Sequence, residues 1–234
     1  MAAEAERQTG TRAPLSEERV LRAAVRIADR DGIGSLTMRN LASELGVEPM
    51  SLYYHVDGKE AVLDGVVDVV VGEMNEAARH IGAAPSGQDW KAAMRRRILA
   101  AREVLLRHPW APHVMETRTT VSPEVLLYYD ALLGVMRAGG FSYDLAHHAL
   151  HALGSRAMGF TQEPFEAGDG DDDDEAAAAV FEEMADRLPH LVEMVGEVSH
   201  GDADSTLGWC DDQAEFEFGL DLILDGLERH LTSA

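Results

Sequence analysis

The chain has 234 residues, 46% of them apolar, with a single cysteine (Cys210) and a net charge of −22. One thiol excludes a disulfide framework and fits a reducing cytoplasm. Asp64, Asp68 and Glu73 break the longest apolar run short of the roughly 20 residues a membrane span needs, so no membrane partner is expected. The start, 1–14, lacks the basic-then-apolar pattern of a secretion signal and reads as a polar, disordered arm. An acidic balance argues against nucleic acid as a partner, but the acid is unevenly spread. Residues 1–58 carry a net charge of −2 and the remainder −20, and between Arg7 and Arg30 six arginines face three acids.

In chain order, nearly every segment reads as helix. Ser16 is a suitable N-cap, with Glu17 and Glu18 at the positive end of the helix dipole. Leu21, Ala24, Val25 and Ala28 then recur at three- and four-residue steps through Asp31, where Gly32-Ile33-Gly34 interrupts. Thr37 caps a short helix with Leu41, Ala42 and Leu45 on its inner face, and Gly46 ends it. Pro49 opens another short helix to about Tyr54. Asp57 and Glu60 have the spacing of a capping box and start a long helix to about Arg79.

Residues 81–87 form a Gly/Pro/Ser linker. Helices are predicted over 88–108, 111–118, 122–138, 143–161, 176–197 (divided at Pro189) and 211–231, with an acidic, disordered loop at 166–175 and a second loop at 199–208. No strand alternation and no internal repeat is present. The predicted class is all-α: a helix-turn-helix head over 15–58 and a larger helical body over 59–234.

The stretch from Leu36 to Val56 carries the most information. Two helices of about two turns, joined at Gly46, form a helix-turn-helix, whose second helix enters the major groove of DNA. Leu41, Leu45, Val47, Leu52 and Val56 hold the pair together, leaving Pro49, Met50, Ser51, Tyr53, Tyr54 and His55 outward. Tyrosine hydroxyls and a histidine N–H suit phosphate oxygens, whereas Ser51 and Met50 suit base edges and thymine methyls. Arg39 could reach a guanine edge or a phosphate. Lys59 stands at a helix start that already favours an anion.

Leu45-Gly46-Val47-Glu48, Leu52-Tyr53 and His55-Val56, followed by Lys59, resemble the recognition segment of the TetR family of transcriptional regulators. The resemblance implies that Arg39, Pro49, Met50, Ser51, Tyr53, Tyr54, His55 and Lys59 contact a double-stranded operator. It also implies a homodimer, closed by a bundle of the last helix and 143–161. Leu150, Leu153, Gly154 and Ala157 would meet Phe216, Gly219, Leu220, Ile223 and Leu227 there; packing within one chain is the alternative for the same stripe. Gly219 and Gly226 would let a helix approach closely.

Between head and last helix the resemblance is weaker. The family's prototype binds a drug–magnesium complex through polar side chains and a histidine. The corresponding positions here are Asn75, Arg97, Ala101 and Met115, so no metal or cofactor is expected. Met74, Asn75, Met94, Arg97, Trp110, His113, Met115, Tyr128, Tyr129, Leu132, His147 and His151 are the candidate liners of a site for a small-molecule inducer. Arg97 is the sharpest of them, because a buried guanidinium needs an anionic or strongly accepting partner.

Other chemistries find little support. His147 and His151 stand four apart, but no third or fourth zinc ligand accompanies them. Asp169–Asp174 lacks both the glycine and the bidentate glutamate of a calcium loop. No Gly-rich phosphate loop, Gly-x-Ser-x-Gly elbow or His-Glu-x-x-His is present, so no catalytic residues are assigned. Control by a protein partner, or a helical enzyme that does not bind DNA, are the alternatives.

Overall fold

The Ser16 hydroxyl accepts from the Arg19 amide at 3.3 Å and starts α1 (Glu17–Asp31), whose face of Val20, Leu21, Ala24, Ile27 and Ala28 is buried. This computed structural model describes residues 14–81, 90–159, 184–198 and 212–233, and all elements among them are helical. After a 3-10 turn at Ile33–Ser35 come α2 (Met38–Leu45), α3 (Pro49–Leu52) and α4 (Gly58–Ala77). The body continues with α5 (Trp90–Arg107), α6 (Ala111–Thr117), α7 (Pro123–Ala138) and α8 (Tyr143–Gly159). A 3-10 turn at Ala185–Arg187, α9 (Pro189–Val198) and α10 (Asp212–Ser233) complete the described chain. The predicted arm, the linker, the acidic loop and the loop at 199–208 lie outside the described residues.

Local signals act as anticipated at most helix ends. Thr37 Oγ1 accepts from the Asn40 amide at 3.1 Å, and Ser122 Oγ from Val125 at 3.3 Å. Gly46 takes the left-handed conformation (φ 66°, ψ 41°), which turns the chain so that Val47 N–H reaches back to Ala42 O at 3.0 Å. Pro189 opens α9 just after a 3-10 turn at Ala185–Arg187, and residues 176–183 of the predicted helix lie outside the described residues.

The capping box at Asp57 does not form. Asp57 has ψ 56° rather than the extended value of a working N-cap, and its side chain makes no capping bond. The backbone instead makes a tight turn at this residue, with Gly58 N–H bonded to Val56 O at 2.9 Å.

Two apolar clusters make the core. The first runs from α1, α2 and α3 (Val20, Ile27, Leu41, Leu52) along α4 (Val62, Val66, Val70, Met74) to Val104, Leu105, Trp110 and Val114. It therefore crosses position 58, where head was expected to give way to body. The second joins α5, α7, α8 and α10 through Trp90, Met94, Ile98, Met136, Phe141, Leu153, Phe216 and Leu220. Trp90 and Phe141 meet edge-to-face there, ring centroids 4.7 Å apart.

Candidate nucleic-acid interface and regulatory body

In the head, α2 and α3 are clamped by Leu41, Leu45, Leu52 and Val56, all buried. The side chains between them point outward. Met50 is 71% exposed, Tyr54 87% and Tyr53 48%; Arg39, Pro49 and Lys59 are exposed, and Ser51 and His55 are half-buried. The recognition helix is shorter than predicted, ending at Leu52 rather than near Tyr54. His55 N–H bonds to Leu52 O at 2.9 Å and Val56 N–H to the same oxygen at 3.0 Å, so the last turn tightens and sets Tyr53 and Tyr54 on its outer edge. This projecting row of two phenols, a thioether and two cations on a rigid two-helix base has the shape of a groove reader.

The head is tied to the body by a polar knot between residues far apart in the sequence. Asp29 Oδ1 of α1 accepts from Trp110 Nε1 at 2.7 Å and lies 2.7 Å from Nδ1 of the buried His108. His108 Nε2 faces Glu73 Oε2 of α4 at 3.3 Å, and the Arg107 guanidinium donates to the same oxygen at 3.0 Å. One junction, at the end of α5, thus touches both α1 and α4. Its hint in the sequence is His108-Pro109-Trp110, a polar–aromatic pair at a helix stop. Trp110, read from sequence as a ligand-site liner, has its indole N–H engaged in this knot.

Asp29→Ala and Trp110→Phe should each destabilise the chain. Their double-mutant cycle should return a coupling energy of about 1 kcal/mol, more if the carboxylate is well desolvated. Urea denaturation measures it; additive losses would mean that the short contact carries no energy.

The remaining candidate liners separate into three environments. Met74, Met94 and Leu132 are buried among apolar neighbours, and Met115 and Tyr128 pack on the first cluster, Tyr128 on the second as well. Asn75 lies in an open groove of about 390 Å³ between α4 and α7 with Gly72, Arg79, Glu124 and Leu127. Its amide donates to Glu124 Oε2 at 2.9 Å and to the Glu124 carbonyl at 3.1 Å, so it is already partnered. His113, Tyr129, His147 and His151 are exposed on the chain's own surface, with the His147 and His151 rings 4.6 Å apart. Helix phase explains Tyr129: its neighbour Tyr128 takes the inward position, and the next residue is turned outward by about 100°. The four exposed residues do not converge with the buried set. Arg97, by contrast, is half-buried beside Tyr128.

Residues 20–66 match the family model described as bacterial regulatory proteins of the tetR family, and residues 83–231 match the tetracyclin repressor-like C-terminal domain. The HTH-type transcriptional repressor DrrR1 of Streptomyces coeruleorubidus is 30% identical over 223 residues, covering 94% of this chain and 79% of that protein. The chain belongs to the TetR family. An HTH-type transcriptional regulator of Saccharopolyspora erythraea is 35% identical over 136 residues. That match takes in 58% of this chain and 55% of the relative, so the chain spans about half of that protein's length. Among solved structures, the Streptomyces coelicolor TetR family protein ActR in complex with (S)-DNPA superposes with a TM-score of 0.69 at 26% identity, over 92% of this chain and 98% of that one. These relatives are regulators of transcription rather than enzymes. Among the described residues of this TetR-family chain, no helix is long and apolar enough to cross a membrane.

The stripe expected to join two TetR-family protomers is largely occupied within one. Leu153, Ala157, Phe216, Leu220 and Leu227 are buried in the second cluster, and Leu150 and Ile223 are half-buried against it. A Cβ on Gly219 would fall 2.7 Å from the Arg156 guanidinium carbon, so its own chain fills that gap; Gly154 and Gly226 have open space. The apolar side chains that α10 leaves outward are Phe218 and Leu222, 64% and 54% exposed. They stand four apart, half a turn or so from the buried face. The sequence pattern revealed one broad apolar face and could not say that α5 and α8 of the same chain would cover it.

Proposed function

We propose that this chain is a homodimeric repressor that occupies a near-palindromic operator and leaves it when a small molecule enters the body. The observation that carries the reading is the outward row Met50, Tyr53, Tyr54 and Lys59 on a helix-turn-helix whose inner face is fully packed. Residues 15–58 serve as the DNA-binding domain, with Arg39, Pro49, Ser51 and His55 completing the contact set, and 59–234 as the regulatory part. Exposed Phe218 and Leu222, with Gly226 open beside them, support a seam between two copies on α10. Two heads would then read half-sites about 34–36 Å apart, or a multiple of that.

A small molecule as the releasing signal is supported by the TetR-family neighbour ActR, solved in complex with (S)-DNPA. The route from body to head would run along α4 and through the Asp29–His108–Trp110 knot, since both meet α1 or its cluster. Coupling of this kind is reciprocal: operator DNA must weaken ligand affinity by the factor by which ligand weakens DNA affinity.

The test is a gel shift with fragments of the DNA upstream of the chain's own gene, alongside light scattering. The expected result is a dimer that retards a fragment containing two half-sites and fails on either half-site alone. A monomer in solution, or indifference to every fragment, would sink the reading.

A further inference from the structure

Six basic side chains lie on α5, and most have acceptors in the protein. Lys91 pairs with Asp225 and Glu228, Arg95 with Glu217 and Asp221, Arg107 with Glu73, and Arg102 donates to Gln213 Oε1 at 3.1 Å. Arg96 is exposed to water. Arg97 is half-buried, its Nε is fully buried, and that atom has no hydrogen-bond partner among the described residues. Leaving a buried donor unsatisfied is unfavourable, so an open one is a place to look for an external acceptor.

Its position fits that purpose. On α5, Ala93, Met94 and Ile98 belong to the second apolar cluster and Ala101, Val104 and Leu105 to the first, so Arg97 falls at the seam between them. Tyr128 of α7, which packs against both clusters, sits at the same seam within electrostatic reach of Arg97. Burial lowers the Arg97 pKa and raises that of the Tyr128 phenol, leaving the phenol neutral and able to donate. The seam therefore combines one unpaired cation, one neutral O–H and apolar walls from two clusters.

We infer that the body's ligand is an organic acid with an apolar skeleton, whose anionic oxygen takes the Arg97 guanidinium with the Tyr128 hydroxyl as second donor. This rests on the regulatory reading above and adds the charge of the ligand to it.

The experiment uses three acid–ester pairs as probes: 2-naphthoate, 1-hydroxy-2-naphthoate and anthraquinone-2-carboxylate, each beside its methyl ester. Calorimetric titration of the whole protein is expected to give at least one acid that binds about tenfold or more tightly than its ester, the scale of a hydrogen bond to a charged group. Arg97→Met should erase that preference, Tyr128→Phe should reduce it, and Arg97→Lys should retain part of it. Ligand-free Arg97→Met should melt at the same temperature or higher, because the guanidinium has no partner to lose among the described residues. Equal affinity for acid and ester in every pair, no binding by any acid, or a variant that melts lower or fails to fold would each overturn the inference. DNA binding by the unmodified chain is measured in parallel. A chain that ignores DNA yet prefers the acid would break the regulatory reading and leave the acid site standing; one that binds DNA and shows no preference would break the acid site alone.

Discussion

Phe216→Ala is expected to lower the stability of the chain by about 3–5 kcal/mol, the range for removing a fully buried phenylalanine. The ring is 0% exposed and lies under two guanidinium groups, Arg102 at 4.2 Å and Arg156 at 5.2 Å from its centroid. It thereby joins α5, α8 and α10, and its loss would open a cavity and remove a cation–π contact worth about 0.5–2 kcal/mol. Against a total stability on the order of 5–15 kcal/mol, that is a large share. Urea unfolding followed by circular dichroism reads the effect. The same variant separates the two roles open to this residue: if Phe216 met a second copy instead, the dimer would dissociate at an unchanged monomer unfolding midpoint.

Tyr53→Ala together with Lys59→Ala is expected to reduce operator affinity by about tenfold to a hundredfold or more, from lost charge-assisted bonds at each of two half-sites. Both side chains are exposed in the free protein, so the unfolding free energy should stay within about 0.5 kcal/mol of the parent. Lys59→Ala alone should weaken binding to all sequences alike and flatten the dependence of log affinity on log salt by about one unit per contact. Fluorescence anisotropy across a salt series measures both quantities. Unchanged affinity in the double variant would remove these residues from the interface. The strongly acidic body repels DNA and leaves the head little non-specific attraction for it, so binding should depend on both half-sites.

The helix-turn-helix was legible because its instructions are local. Thr37 finds its amide three residues away, Gly46 supplies the left-handed turn, and the spacing of Leu41, Leu45, Leu52 and Val56 says which side faces in. The outward set follows by subtraction. Asp57 misled because a capping box needs the right backbone angle as well as the right spacing, and the tight turn from Val56 to Gly58 leaves Asp57 without that angle.

The regulatory part was less legible for a different reason. Helical periodicity marks a face as apolar without naming what covers it, so the stripe on α10 pointed equally to a partner copy and to α5 and α8. Trp110 and His108 reach Asp29 across 81 and 79 residues, a separation at which no spacing rule operates. Residue chemistry did single out Arg97, but the absence of a protein acceptor depends on where all the other carboxylates go.

What the amino-acid order determined unaided was a helical fold class, most of its helix starts and stops, and an outward row of phenols and cations between α2 and α4. Capping, left-handed glycine and the 3.6-residue repeat act within a turn or two, and each leaves its mark in neighbouring residues. The folded chain alone decided which apolar faces are satisfied internally, which carboxylates close the head onto the body, and which cation is left open at the seam of two clusters. Those are outcomes of competition among distant groups for the same partners, and they exist only once the helices are packed.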